Sequence, residues 1–432
     1  MQIENLYKIF LQHPSVQTDT RKLKDGDLYF ALKGPHFNGN TFAQKALDTG
    51  AAYAVVDEDT GLSDERIIKV EDVLTTMQLL AKHHRQQFNT MPGGRQVPFI
   101  AVTGSNGKTT TKELLHEVLN TTYKTYTTEG NLNNHIGIPL TILKIKADAE
   151  MALIEMGANH QKEIESYCTF TLPTHGLITN CGKAHLEGFG GEEGVRKGKG
   201  ELFDYLRANN GTAFIMNDYV YLQEMSKGIA TVKTYGTTAA EITGVVKNST
   251  GFLEVVITGG ASIDTIKTQL VGEYNLPNVL AAVAVGKYFK VADDNIKSAL
   301  ENYTPSNSRS QLIEKDGNKI ILDAYNANPT SMKAAIENFA KMEGNEKVLL
   351  LGGMMELGNE SLPEHQSIIN VIDNYKWKAV VLVGGDYHKL KHAYINFSNS
   401  LEAKEWFNQQ HFKHTQFLIK GSRSMQMEKV LE

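Results

Sequence analysis

The segment Phe99-Ile-Ala-Val-Thr-Gly-Ser-Asn-Gly-Lys-Thr-Thr110 joins an apolar run to a glycine-containing turn and a stretch that can open a helix. Such a turn aims backbone N–H groups and a helix N-terminus at one point, which is what a polyphosphate requires. Gly104, Ser105, Asn106, Gly107, Lys108, Thr109 and Thr110 are therefore expected to cradle nucleotide phosphates. Lys108 would bring a cation to the β- and γ-phosphates, and Thr109 a hydroxyl to Mg²⁺. The spacing departs from G-x-x-x-x-G-K-[ST], because Val102 stands where the first glycine belongs and Gly104-x-x-Gly107-Lys108-Thr109 remains. That departure weakens a kinase or GTPase reading. With no NKxD-type guanine motif present, adenine nucleotide is favoured by default.

Glu155 closes the apolar run Met151 to Ile154, so its carboxylate is expected at the C-terminal edge of a sheet, where open α/β sheets hold ligands. That suits a Mg²⁺ ligand; the plainer reading is a solvated strand-end glutamate. His185 follows the run Gly176 to Asn180 by a short loop and could reach the same edge, although a lone histidine more often packs or faces water. Asn275 and Asn278, in Gly272-Glu-Tyr-Asn-Leu-Pro-Asn278, sit where a helix starts, and asparagine caps helices well.

The elements that must position these groups follow from periodicity. Strands are expected at Leu28 to Leu32, Ala51 to Val56 and Ile67 to Val70, with helices at Thr41 to Asp48 and about Asp72 to Phe88. The proline- and glycine-containing segment Met91 to Pro98 reads as a linker. Strand and helix then alternate through Phe99 to Thr103, Lys108 to Leu119, Met151 to Met156, Gly176 to Asn180, Glu201 to Arg207 and Ala213 to Met216, which implies a largely parallel sheet. Glu241 to Val271 reads as antiparallel hairpins, and helices follow at about Asn278 to Phe289 and Asp293 to Glu301. Tyr303 to Ser308 is a second joint. Strands at Lys319 to Leu322, Lys347 to Leu351, Ala379 to Val383 and Gln416 to Ile419 give a third, doubly wound part. The expectation is an α/β protein of three domains: a small α/β domain over 1–92, a P-loop parallel-sheet domain with an antiparallel appendage over 97–305, and a Rossmann-like domain over 306–432.

The chain has 432 residues, and its 44 basic against 49 acidic side chains leave a net charge of −5. No basic run supports nucleic-acid coating or a membrane-surface role, so any anionic ligand must be held locally. Cys168 and Cys181 are too few for a disulfide framework or a structural zinc site, which fits a reducing cytoplasm. No apolar stretch reaches the ~20 residues of a membrane span, and neither a secretion signal nor a bilayer anchor is expected.

The variant loop TGSNGKTT is similar to the ATP loop of the Mur ligases and of their relative folylpolyglutamate synthetase. Matches continue at Thr128-Glu-Gly-Asn-Leu-Asn-Asn134, Ile138-Pro139, Leu153-Ile-Glu-Met-Gly-Ala158, Thr179-Asn-Cys-Gly-Lys-Ala-His-Leu-Glu-Gly-Phe-Gly190, Asp323-Ala-Tyr-Asn-Ala-Asn-Pro329, Gly353-Met-Met-Glu-Leu-Gly358 and Lys420-Gly-Ser-Arg423. The resemblance implies a peptidoglycan-synthesis ligase. It would join D-alanyl-D-alanine to UDP-N-acetylmuramoyl-tripeptide at the expense of ATP, through an acyl phosphate.

It also implies site residues. Glu155, His185 and a carbamylated lysine would hold two Mg²⁺ ions with Thr109. Of Lys197 and Lys199, which precede the expected helix, Lys199 aligns with that lysine; the plainer reading is two exposed lysines in a glycine-rich loop. Asn180 is assigned to the γ-phosphate or acyl-phosphate neighbourhood, with Lys108, Glu155, His185 and Lys199 completing the catalytic set. Asn275, with Asn278 nearby, would touch adenine. Arg309 would swing onto the phosphates and Asp323 would hold the ribose. Tyr325, Asn326 and Asn328 would lie between nucleotide and dipeptide, in what is otherwise an Asn-rich turn before a helix. Arg21, Asn40 and Thr41 would hold the uridine end of the UDP-sugar. The resemblance further implies a cytoplasmic monomer whose domains close to keep water from the acyl phosphate. Rival readings are another Mur ligase or folylpolyglutamate synthetase and, from a different class, a P-loop nucleotide switch.

Overall fold

The computed structural model describes residues 2–90, 94, 96–306, 308–344 and 346–432. Met91, Pro92, Gly93 and Arg95 of the expected linker, and Asn307 of the second joint, lie outside the described residues. Three principal sheets define the architecture. The first has four parallel strands in the order Val16–Gln17, Leu28–Phe30, Tyr53–Val56, Ile67–Lys69. The second has nine, ordered Thr265–Val271, Phe252–Gly259, Ile242–Asn248, Thr231–Gly236, Thr212–Met216, His175–Ile178, Phe99–Thr103, Met151–Glu155, Thr125–Thr127. The third has six, ordered Gln311–Lys315, Asn318–Asp323, Gln416–Lys420, Lys347–Gly352, Ala379–Val383, Ile395–Phe397, parallel except for the first pair. Packing gathers the chain into two compact units: residues 1–101, 123–157 and 163–175, and residues 102–122, 158–162 and 176–432.

In the first unit, Tyr29, Ala31, Ala54 and Val56 pack on Ala43, Ala46 and Leu47 of the helix Ala43–Asp48. The longer helix Val73–Gln86 starts at Asp72, whose carboxylate accepts from Thr75 N–H, and ends on two buried polar anchors. His84 Nε2 meets Ile145 O at 2.7 Å and its Nδ1 meets Tyr7 Oη at 3.1 Å. Arg85, 1% exposed, donates to Thr171 O, Leu172 O and Asn89 Oδ1 and lies 3.8 Å from the Phe99 ring centroid. Its cation meets the carbonyl end of the helix Glu163–Thr171, where the helix dipole favours positive charge.

In the second unit, the hairpin strands Ile242–Asn248 and Phe252–Gly259 pair antiparallel, and the latter alternates buried with more exposed positions, as a sheet with one wet face does. The helix Leu276–Tyr288 is buried on nearly every side and packs on Lys108–Asn120. Gly286 permits the approach, since a Cβ there would lie 2.7 Å from Val118 Cγ1. The six-stranded sheet buries Ile320, Leu322, Val348, Leu350, Val381 and Ile419 in one cluster.

One expectation is corrected. Lys197 and Lys199 do not precede a helix in a glycine-rich loop; they lie within one, Glu192–Ala208. The glycines that read as a loop are there for packing. A Cβ on Gly194 would sit 1.8 Å from Phe189 O, and one on Gly198 would sit 2.4 Å from Phe189 Cε1. Lys197 faces outward while Lys199 is 1% exposed.

Candidate functional site

The loop after the strand Phe99–Thr103 is fixed by residues distant in sequence. Gly104 has φ +141°, and a Cβ there would fall 2.0 Å from Thr179 Oγ1; Gly107 has φ +81°, and a Cβ would fall 2.7 Å from Asn278 Oδ1. Both positions demand glycine on conformation and on space. Ser105 N–H donates to Asn180 O at 2.9 Å, and Ser105 Oγ donates to Gly182 O at 2.8 Å. Asn180 brackets Asn106: its Oδ1 accepts from Asn106 N–H (3.1 Å) and its Nδ2 donates to Asn106 O (3.0 Å), an oxygen that also accepts from Thr179 Oγ1 (2.6 Å). Lys108 folds back, with Nζ 2.7 Å from Gly104 O and 3.2 Å from Ser105 O. Thr109 is buried in the first turn of the helix Lys108–Asn120 and Thr110 is half-buried beside it.

Asn275 and Asn278 do more than start a helix, and neither side chain makes a cap bond there. Asn275 Nδ2 donates to Val271 O at 2.9 Å, Asn278 Nδ2 donates to Asn275 Oδ1 at 2.8 Å, and Thr111 Oγ1 donates to Asn278 Oδ1 at 3.0 Å. This buried chain ties the phosphate-loop helix to the helix Leu276–Tyr288. Asn328 caps the helix Pro329–Lys341 through a capping box with Ser331, and its Nδ2 donates to Asn106 Oδ1 at 2.6 Å.

The expected metal ligands stand in different surroundings. Glu155 is 1% exposed; its Oε1 accepts from Asn133 Nδ2 at 2.7 Å, and its Oε2 is buried with no hydrogen-bond partner among the described residues. A buried carboxylate oxygen without a donor suits a cation. Among the described residues no group of three or more His, Cys, Asp or Glu is placed to hold a metal. Mg²⁺ tolerates such a sparse protein shell, since it keeps several waters and takes phosphate oxygens. His185 adopts φ +52° and lays Nδ1 against the Glu356 carboxylate, which the imidazole holds below the usual glutamate range. Lys183, two residues earlier, pairs with Glu364 at 2.6 Å, and that hydrogen bond raises the lysine's pKa. Lys199 Nζ donates to Ala158 O at 3.0 Å and lies 4.8 Å from the Phe189 ring centroid.

The C-terminal ends of the six-stranded sheet gather a second group. Asp323 Oδ2 accepts from buried Lys420 at 2.5 Å and Oδ1 accepts from Ser310 N–H at 3.1 Å, which leaves lone pairs for hydroxyl donors. Lys420 also reaches Asn326 O at 3.2 Å, while Asn326 Oδ1 accepts from Ala327 N–H and the side chain stays exposed. The Arg309 guanidinium stacks 3.6 Å from the Tyr325 ring centroid, with that of Arg423 at 5.8 Å.

In the first unit a cleft of about 540 Å³ is lined by Thr18, Asp19, Thr20, Arg21, Phe37, Phe42 and Lys45. Phe37 and Phe42 stack with centroids 5.5 Å apart and planes 18° from parallel. Arg21 is 84% exposed and paired with Asp19, whose carboxyl its hydrogen bonds lower to about 2. Asn40 does not line the cleft. It is buried, with Nδ2 donating to Asn38 Oδ1 and Asp57 Oδ1 and its Oδ1 accepting from Asp57 N–H. Thr41 Oγ1 donates to Asn38 O. The rings of Phe37 and Phe42, Lys45, Lys420 and the Glu356 carboxylate were not singled out by sequence reasoning. The signal was there for two of them, since Glu356 and Lys420 fall in the matched segments Gly353 to Gly358 and Lys420 to Arg423.

Among the described residues no helix is long and apolar enough to cross a membrane. Three family descriptions match the sequence: Mur ligase family, catalytic domain over residues 14–85; Mur ligase middle domain over 102–286; and Mur ligase, glutamate ligase domain over 308–416. UDP-N-acetylmuramoyl-tripeptide--D-alanyl-D-alanine ligase of Bacillus subtilis is 34% identical over 433 residues, covering 96% of this chain and 92% of that protein. The crystal structure of MurF from Acinetobacter baumannii superposes with a TM-score of 0.85 at 29% identity, over 96% of this chain and 92% of that one. MurF ligase from Thermotoga maritima, solved in complex with ADP, gives 0.86 at 26% identity over 98% and 97%. With its three α/β domains, a fixed phosphate loop and relatives matched along nearly their whole length, the chain belongs to the Mur ligase family.

Proposed function

We propose that the protein is the ATP-dependent ligase that joins D-alanyl-D-alanine to UDP-N-acetylmuramoyl-tripeptide, completing the pentapeptide precursor of peptidoglycan in the cytoplasm. The observation that carries this reading is the nearly full-length match to ligases of that name, at 34% and 35% identity. The domains divide at 1–92, 97–305 and 306–432 and serve the UDP-sugar, ATP, and the dipeptide with part of ATP, in a monomer.

The reaction passes the γ-phosphoryl group to the tripeptide's terminal carboxylate; the dipeptide amine then attacks the acyl phosphate and inorganic phosphate leaves. Bringing a carboxylate to a triphosphate requires positive charge and fixed alignment. Lys108 releases the loop carbonyls to meet the phosphates. Glu155, His185, Thr109 and a carbamylated Lys199 would hold Mg²⁺, which when bound neutralises charge on the phosphoryl oxygens. The unpartnered Oε2 of Glu155 supports that assignment. Lys199 is buried, and a lysine amine in its neutral form captures CO₂ with loss of a proton. Lys199→Ala should lose activity that short carboxylic acids partly restore, and an unimpaired Lys199→Ala enzyme would remove the carbamate from the mechanism. Asp323 receives the ribose hydroxyls, and Arg309 and Tyr325 flank the nucleotide near Asn275 and Asn278. Asn326 faces the dipeptide. Arg21, Phe37, Phe42 and Lys45 receive the uridine diphosphate, with Asn40 and Thr41 shaping the turn behind them.

The deciding experiment measures phosphate release from ATP with UDP-N-acetylmuramoyl-tripeptide, with D-Ala-D-Ala, with both, and with neither. Release only with both substrates is expected. Release indifferent to either indicates a nucleotide switch, and stimulation by folate with glutamate indicates the folylpolyglutamate reaction.

A further inference from the structure

The Asn106 side chain has an uneven environment. Its Oδ1 accepts from Asn328 Nδ2 at 2.6 Å, while its Nδ2 is buried without a hydrogen-bond partner among the described residues. It lies beside Gly182, where a Cβ would come within 3.2 Å of that nitrogen. A carboxamide has one acceptor end and one donor end, and its partners decide which way it faces. Asn328 offers Asn106 a donor and nothing else, because its own Oδ1 is engaged by Ser331 N–H at 2.9 Å as the cap of the helix Pro329–Lys341. The Asn106 amide is thereby held with its oxygen toward Asn328 and its NH₂ unsatisfied. The backbone of Asn106 is bracketed independently by Asn180 and Thr179, so only the side-chain orientation depends on Asn328.

We infer that Asn328 is a positioning residue for ATP, which sets the Asn106 amide so that its NH₂ is a ready donor to a phosphate oxygen. The inference rests on the reading of Gly104 to Thr109 as the ATP loop, and it moves Asn328 from the dipeptide side of the site to the nucleotide side. An unpaired buried donor is costly, and an anionic acceptor relieves that cost on binding. Helix capping alone makes a different prediction, since Ser and Asp replace Asn at an N-cap at little cost.

The test is calorimetric titration of the full-length protein with a non-hydrolysable ATP analogue and Mg²⁺, without the other substrates. Asn328→Ser keeps a cap acceptor but loses the donor, and should raise Kd about tenfold while its melting temperature stays near that of the wild type. Asn328→Asp keeps the cap but presents an acceptor, turning the Asn106 amide around, and should raise Kd further, by roughly fiftyfold or more. In an Asn106→Ala background both effects should shrink to within about twofold, because the side chain through which they act is gone. Wild-type affinity in both Asn328 variants, or effects equally large in the Asn106→Ala background, would overturn the inference; the latter would mark simple charge repulsion or distortion of the helix. A wild-type protein that fails to bind the analogue would instead overturn the ATP-loop reading, and the inference with it.

Discussion

The phosphate loop and the cleft around Arg21 differ in how much of their polar surface is already bonded within the protein. From Gly104 to Lys108, carbonyls, amides and side chains are held by Thr179, Asn180, Gly182 and Asn328, while Gly104 is pressed against Thr179 and Gly107 against Asn278. In the cleft, the exposed Arg21 bonds, among the described residues, only its near neighbour Asp19, and the stacked rings of Phe37 and Phe42 form part of the lining. Lys108 apart, a loop built this way needs little reorganisation when an anion arrives, and its backbone tolerates little change. A cleft lined by one exposed and one half-buried ring depends on contact area, which substitutions erode by degrees.

The largest effect that tests this contrast is expected from Gly104→Ala. The added methyl meets Thr179 Oγ1 in a backbone region that side chains rarely adopt, and should cost roughly 3 kcal/mol or more, with loss of ATP-analogue binding. Retained binding in a well-folded Gly104→Ala protein would show the loop to be pliable. Next is Arg85→Met, which leaves Thr171 O, Leu172 O and Asn89 Oδ1 short of donors in a buried site and should destabilise by about 3 kcal/mol, read as a fall in melting temperature. That result would show the first unit's scaffold to be bonded as tightly as the phosphate loop, even though its cleft is not. Phe42→Ala should raise KM for the UDP-linked substrate about tenfold through lost ring contact, leaving ATP-analogue Kd unchanged. An altered Kd for the analogue would blur the distinction between the sites. The smallest effect is acid sensitivity. Asp19 and Asp64 are held at about 2 by hydrogen bonds from Arg21 and Arg66, below the unfolded value of about 3.9. Their contribution is present above pH ~4 and fades as pH falls toward 2, modestly, because both pairs are solvent-screened. Asp19→Asn together with Asp64→Asn should flatten the melting temperature over that window.

What the sequence made legible was local. The strand Phe99–Thr103, its glycine turn and the following helix announce themselves through periodicity and punctuation, and Glu155 and Asp323 end apolar runs that are indeed strands. What it concealed was long-range. The partner of Asn106 is 222 residues away, that of Asp323 is 97 away, and the buried amide of Asn40 reaches a residue 17 positions on. The helix Glu192–Ala208 was obscured because Gly194 and Gly198 lower helix propensity, whereas contact with Phe189 requires their lack of a side chain.

The order of strands in space also bears on synthesis. From His175–Ile178 through Thr265–Val271, each strand lies beside the one made just before it, so that stretch can assemble outward as the chain leaves the ribosome. The six-stranded sheet cannot. Gln416–Lys420 fits between Asn318–Asp323 and Lys347–Gly352, so those earlier strands must wait, with their facing edges open, until residue 420 has emerged. A nascent chain stalled before Gln416 therefore lacks a central strand rather than an edge, and exposes two unpaired edges to chaperones or to neighbouring chains.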